Sequence, residues 1–189
     1  MSIYDKNLET ENIEKFHKLN ESSQKLLILF GLIYEKISEK DYINILIKCK
    51  IHRDYTMRPY ATKRVPQIIN LFLQKGFLIE SIGIKKYEPN EYLKSYLMQK
   101  AYSTFDIKNC IRIIQEELPM LSGNRFFEKP ASLARCKRDI YFGCFLEDEE
   151  LFIAGANGFI NYFDKTIESF ETKMTDGIVR GFEKGLIQK

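Results

Sequence analysis

The most continuous apolar stretch of the chain runs from Leu26 to Tyr34, and together with Ser22-Ser-Gln-Lys25 before it reads as a helix that is apolar nearly all round. Such a helix suits the buried centre of a small bundle. Upstream, Ile13, Phe16 and Leu19 recur at helical spacing and predict a leading helix within residues 1–19. Downstream, Ser38 followed three positions later by Asp41 resembles a capping box, and predicts a second helix that reaches about Cys49. Residues 50–61 carry no periodicity and read as a loop. Thr62 is placed to cap a third helix with Val65, Ile68, Ile69, Phe72 and Leu73 on its apolar face, Pro66 near its first turn and Gly76 at its left-handed close.

After Gly76 the period changes from helical to alternating. Phe77 to Glu80 and Ile84 to Tyr87 predict two strands joined by a turn at Ser81-Ile-Gly83 and closed by Pro89. Three helices and a hairpin within residues 20–88 give the layout of a winged helix-turn-helix domain with a two-stranded wing. Residues 89–189 then read as helical segments over 91–102, 106–118, 131–145, 149–159 and 162–174, broken by Pro119, Ser122-Gly-Asn124, Pro130 and the glycines 155 and 158. The expected architecture is mainly α: an arm over 1–19, a winged helix over 20–88, and an α-helical repeat-like domain over 89–189 that ends as though cut.

Composition narrows the functional classes. With 189 residues, 44% apolar and 29% charged, the chain supports one or two folded domains, and its net charge of +3 does not mark the whole of it as a polyanion binder. Nine consecutive apolar residues fall short of the roughly 20 that span a bilayer, and the N-terminus has no apolar signal core, so no membrane partner and a cytoplasmic location are expected. Cys49, Cys110, Cys136 and Cys144 lack the spacing of a zinc clip and read as reduced, core-packed thiols. No metal site is expected. His17 and His52 have no partners at ligand spacing, and neither a phosphate-cradling glycine loop nor a serine nucleophile elbow occurs. Glu147-Asp-Glu-Glu150 reads as a helix-start cap; a hydrolase would need Asp139, Glu147 and Asp148 gathered in a deep pocket. The expectation is a non-catalytic protein without cofactors.

Charge is concentrated in one place. Between Lys48 and Arg64, the six cations Lys48, Lys50, Arg53, Arg58, Lys63 and Arg64 face the single carboxylate of Asp54, a local balance of +5. Counterion release draws such clusters to DNA phosphates, and a recognition helix reads bases from the side opposite its apolar stripe. That side carries Lys63, Gln67, Asn70 and Gln74; Gln and Asn pair bidentately with adenine. The candidate nucleic-acid-binding residues are therefore Arg53, Arg58, Tyr60, Thr62, Lys63, Arg64, Gln67, Asn70, Lys85 and Lys86, with Tyr55 or Tyr60 against sugar and the two lysines on the wing. The competing expectation is a protein-interaction scaffold that docks through Leu71, Ile82 or Tyr60, or a stand-alone winged-helix transcriptional regulator.

The segments Leu26-Leu-Ile-Leu-Phe-Gly-Leu-Ile-Tyr34, Thr62-Lys-Arg-Val65 and Phe72-Leu-Gln-Lys-Gly-Phe-Leu78 resemble the winged helix near the N-terminus of some bacterial Swi/Snf-type helicase-like ATPases. Phe126-Phe127 and Leu133-Ala-Arg-Cys-Lys-Arg-Asp-Ile-Tyr-Phe-Gly143 are similar to the helical region that follows it there, and the long 50–61 connection matches that subgroup. The likeness covers about 130 residues of hydrophobic pattern, and the motor lobes that carry ATP chemistry are absent from the chain. It implies a DNA-binding front end of a larger ATPase, in which the winged helix meets double-stranded DNA and the helical half docks a motor domain or protein partner. It carries over no catalytic residue.

Overall fold

A computed structural model describes residues 3–52, 60, 62–119, 121–122, 129–130 and 132–163. The chain divides into two compact units, Met1–Pro119 and Met120–Lys189. The expected division near residue 88 falls inside the first unit.

In the first unit, α1 (Ile3–His17) leads into α2 (Glu21–Ile33), whose cap is Asn20, its side chain accepting from the Ser23 amide. The central position expected for α2 is borne out. Every residue from Leu26 to Ile33 is buried, because its neighbours cover it on all sides. α3 (Glu39–Lys48) begins as the sequence pattern predicts: Ser38 Oγ accepts from the Asp41 amide at 3.2 Å and donates to the Asp41 carboxylate at 2.7 Å. Tyr42 of α3 stacks on Phe30 with ring centres 3.9 Å apart and donates its buried hydroxyl to the Leu26 carbonyl at 2.7 Å. One side chain thus supplies both apolar contact and polar satisfaction at the α2–α3 seam.

Thr62–Arg64 form a single 3-10 turn that runs into α4 (Val65–Gln74). Thr62 is not the cap. The cap position belongs to Arg64, without a side-chain hydrogen bond, and Pro66 stands in the first turn without the amide hydrogen that a capping oxygen would receive. The expected close at Gly76 holds. Its φ of 73° lets the Phe77 amide reach the Phe72 carbonyl and the Gly76 amide reach that of Leu73, the paired bonds of a Schellman ending, with the Phe72 and Phe77 rings edge to face beside them.

The hairpin comprises β2 (Leu78–Glu80) and β3 (Lys86–Pro89), antiparallel, with Leu78 opposite Pro89. A third strand, β1 (Ile37–Ser38), pairs with the outer side of β3, giving a sheet of order β1-β3-β2. Two residues are too few to display an alternating pattern, so β1 is invisible in the sequence. α5 (Glu91–Thr104) packs on α2 so closely that a Cβ on Gly31 would stand 2.2 Å from that of Leu97. Asn90 caps α5 through the Tyr92 amide and donates to the Gly76 carbonyl, tying the start of α5 to the end of α4. α6 (Ile107–Glu117) then lies on α3 with Cys110, Ile111, Ile113 and Ile114 buried.

The second unit contains β4 (Leu121–Ser122) and β5 (Lys129–Pro130), an antiparallel pair, then α7 (Leu133–Leu146) and a helix over residues 149–163, α8. Gly155 and Gly158, expected to interrupt, lie inside one continuous helix. Gly155 serves helix packing instead, since a Cβ there would stand 2.8 Å from the backbone nitrogen of Ile140, and one on Gly143 would stand 2.5 Å from that of Phe152. The acidic run is a cap as expected: Asp148 accepts from the Leu151 amide at 3.0 Å. Asp139 is buried against Arg138 at 2.8 Å, whereas Glu147 and Asp148 are exposed. Cys144, expected in the core, is exposed, while Cys49, Cys110 and Cys136 are buried. The expected helix over 162–174 extends beyond the described residues after Phe163. Among the described residues the molecule is mainly helical, with a small three-stranded sheet and the two-stranded β4–β5 pair, and no helix there is long and apolar enough to cross a membrane.

Candidate nucleic-acid interface

α4 has one committed face. Val65, Ile69 and Phe72 are buried in the first unit, which turns Lys63, Gln67, Asn70 and Gln74 to solvent at the spacing of one helical stripe. Thr62 and Arg64 in the preceding turn are exposed as well. The helix is held at both ends, by its run from the 3-10 turn and by the Asn90 link to Gly76, so these side chains project from a fixed support.

On the wing, the chain reverses through Gly83 at φ 77°, and Lys85 and Lys86 are exposed. Lys86 lies opposite Ser38 in the sheet, so its backbone is anchored while its ammonium reaches water. Among the described residues, Lys63, Arg64, Lys85 and Lys86 form no ion pair; their charges are uncompensated by a contacting carboxylate. The base of the wing carries acids: burial, with Glu80 and Glu39 nearby, pushes the Tyr87 hydroxyl above its ordinary value. Tyr87 is buried and offers no stacking platform.

The sequence cluster is only partly brought together. Lys48 turns away to pair with Glu117 of α6, which also accepts from Asn44. Tyr60 is half-buried, its hydroxyl donating to the Ser22 carbonyl at 2.7 Å, so it pins the returning chain to the start of α2. Arg53, Tyr55 and Arg58 lie outside the described residues. One cation went unremarked in the sequence: Lys75, exposed at the end of α4, just past the stripe and directly before Gly76. The protein-docking candidates differ from one another, because Ile82 is fully exposed at the wing tip, with Ile79 and Ile84 exposed beside it, whereas Leu71 is only marginally so.

Among the described residues no group of three or more His, Cys, Asp and Glu is arranged to hold a metal ion. Comparison with protein-family models, with curated proteins and with solved structures returns no match.

Proposed function

We propose that residues 20–88 form a winged helix that binds double-stranded DNA, with α4 as the helix entering the major groove. Support comes from the strand order β1-β3-β2, with β1 between the first two helices of the trio and the hairpin after the third. The single observation that carries the reading is the exposed set Lys63, Arg64, Gln67 and Asn70 on the 3-10 turn and α4, cations and amides together, the cations without an ion pair among the described residues. Lys63, Arg64, Lys85 and Lys86 contact phosphates; Gln67 and Asn70 face base edges. On the resemblance noted above, this module is the front end of a larger helicase-like ATPase, and the helical half over 89–189 docks its motor domain or a protein partner.

Titration of a labelled duplex at low salt tests it. The intact chain binds, and Lys63→Glu with Arg64→Glu weakens binding alike for all duplex sequences, as loss of phosphate contacts does, by roughly tenfold or more. Retained affinity in that double variant removes the model. A second reading rests on the exposed isoleucines 79, 82 and 84, which make the wing tip a protein-docking surface. It takes precedence if no duplex binds at low salt.

A further inference from the structure

In the second unit, α7 and α8 form an antiparallel hairpin whose seam is made of backbone. A Cβ on Gly143 would stand 2.5 Å from the Phe152 nitrogen, and one on Gly155 would meet the backbone of Ile140 and Cys136. The helices thus touch through glycines, and the large side chains of α8 have no room between them. They gather instead in one stripe, Phe152, Ile153, Ala156, Phe159, Ile160 and Phe163, at i, i+1, i+4, i+7, i+8 and i+11. Glu150, Ala154, Asn157 and Asn161 hold the other side of α8. On α7, Lys137, Tyr141, Cys144 and Phe145 make an exposed stripe, while Arg138, Asp139 and Phe142 are buried away from it. At about 100° per residue, each stripe lies roughly a quarter turn past its seam residues in the same rotational sense. Because the helices run in opposite directions, both stripes then fall on one face of the hairpin.

That face is apolar and open: Tyr141, Phe145, Phe152, Ile153, Ile160 and Phe163 are between 39% and 56% exposed. Fully buried aromatic side chains cover roughly 150–250 Å² each, so these half-exposed residues present on the order of 500 Å² of apolar surface. Single exposed apolar residues are ordinary, but a contiguous patch of this size marks an interaction surface. With its polar rim it approaches the roughly 800 Å² per partner of a standard protein interface. The charges at its ends select the partner. Glu147, Asp148, Glu149 and Glu150, all exposed, stand at the turn of the hairpin, and the exposed Lys137 stands towards its opposite end. Nucleic acid and anionic lipid are repelled by the acidic end. A second hairpin laid antiparallel on the first, about a two-fold axis, instead sets the carboxylates of each copy against Lys137 of the other. The geometry points to a two-fold dimer of this chain, formed through the α7–α8 face. This dimer does not depend on what the α4 face binds.

Sedimentation equilibrium of the full chain at low salt, from about 2 µM to about 200 µM, is the test. The mass should rise with concentration from 22.3 kDa towards twice that value. Cys144, exposed within the patch, should be alkylated more slowly as the dimer fills. Ile153→Asp with Ile160→Asp should weaken association about a hundredfold or more, since each change falls twice in a two-fold interface. Lys137→Glu should weaken it about tenfold, and adding Glu149→Lys should restore it, because the swap keeps opposite charges facing each other. A chain that stays monomeric over the whole range overturns the proposal, and so does a dimer that survives the double isoleucine variant. A monomer whose Cys144 is nonetheless slow to alkylate would show that the chain covers this face itself, which overturns it equally. If the isoleucine variant fails to fold, unchanged association in Lys137→Glu overturns it instead.

Discussion

Glu88 shows how one side chain can hold two elements together. It sits on β3, and its carboxylate meets Lys94 of α5 at 2.9 Å and Lys36 before β1 at 3.3 Å. Lys94 is largely buried and also lies 5.6 Å from the centre of the Tyr34 ring. Burial of Glu88 opposes its charge, but the hydrogen bonds and charges of the two lysines outweigh that and hold its carboxyl below the usual range. A group lowered in this way contributes stability that is complete above its unfolded value, about 4.3, and is lost as the pH falls through the lower folded value. Glu88→Gln should therefore lower the urea midpoint at neutral pH, and the gap from the wild type should narrow below about pH 4. An equal gap at both pH values would mean that the carboxylate contributes no charge-dependent stability. Nothing in the sequence pointed to this cluster, because Lys36, Glu88 and Lys94 meet only through the sheet and the α5 packing.

At the scale of elements, α2 and α5 form the tightest seam in the first unit. Gly31 has no side chain because Leu97 occupies that space, and the helix backbones approach accordingly. Gly31→Ala should cost about 1–3 kcal/mol through overpacking, despite the better helix propensity of alanine, and the cost should be relieved in part by Leu97→Ala. Equilibrium denaturation of the two single variants and the double variant checks both parts; a stabilising Gly31→Ala would contradict the packing. Elements with long periodic patterns were legible in advance. α2, α3 and the Gly76 ending of α4 follow from apolar spacing, the Ser38–Asp41 pair and the need for a left-handed residue. What the pattern did not disclose depended on tertiary partners. β1 is only two residues long and exists because β3 lies beside it, and Gly155 reads as a breaker until Ile140 is seen against it. Thr62 likewise reads as a cap until it is seen to open a 3-10 turn, which moves the cap position on to Arg64.

For the molecule as a whole, the first unit joins a small core to an exposed face of mixed chemistry. The polar stripe on α4 was legible, because residues four and seven apart must share a side once Val65, Ile69 and Phe72 are committed to the core. The cationic cluster was legible only as a sum: Lys48 is spent on Glu117 and Tyr60 on Ser22, pairings across 69 and 38 residues that no local pattern encodes. What remains exposed on the described surface is Lys50, Lys63, Arg64, Lys75, Lys85 and Lys86, together with the amides of Gln67 and Asn70. The salt dependence of duplex binding reports on whether these side chains meet a polyanion. If Lys63, Arg64, Lys85 and Lys86 each neutralise a phosphate, the logarithm of the binding constant should fall with the logarithm of salt at a slope of about −3.6 or steeper, and neutralising Lys63→Ala with Arg64→Ala should make the slope shallower by about 1.8. A slope near zero, or one unchanged in that double variant, would mean that these cations do not contact phosphates.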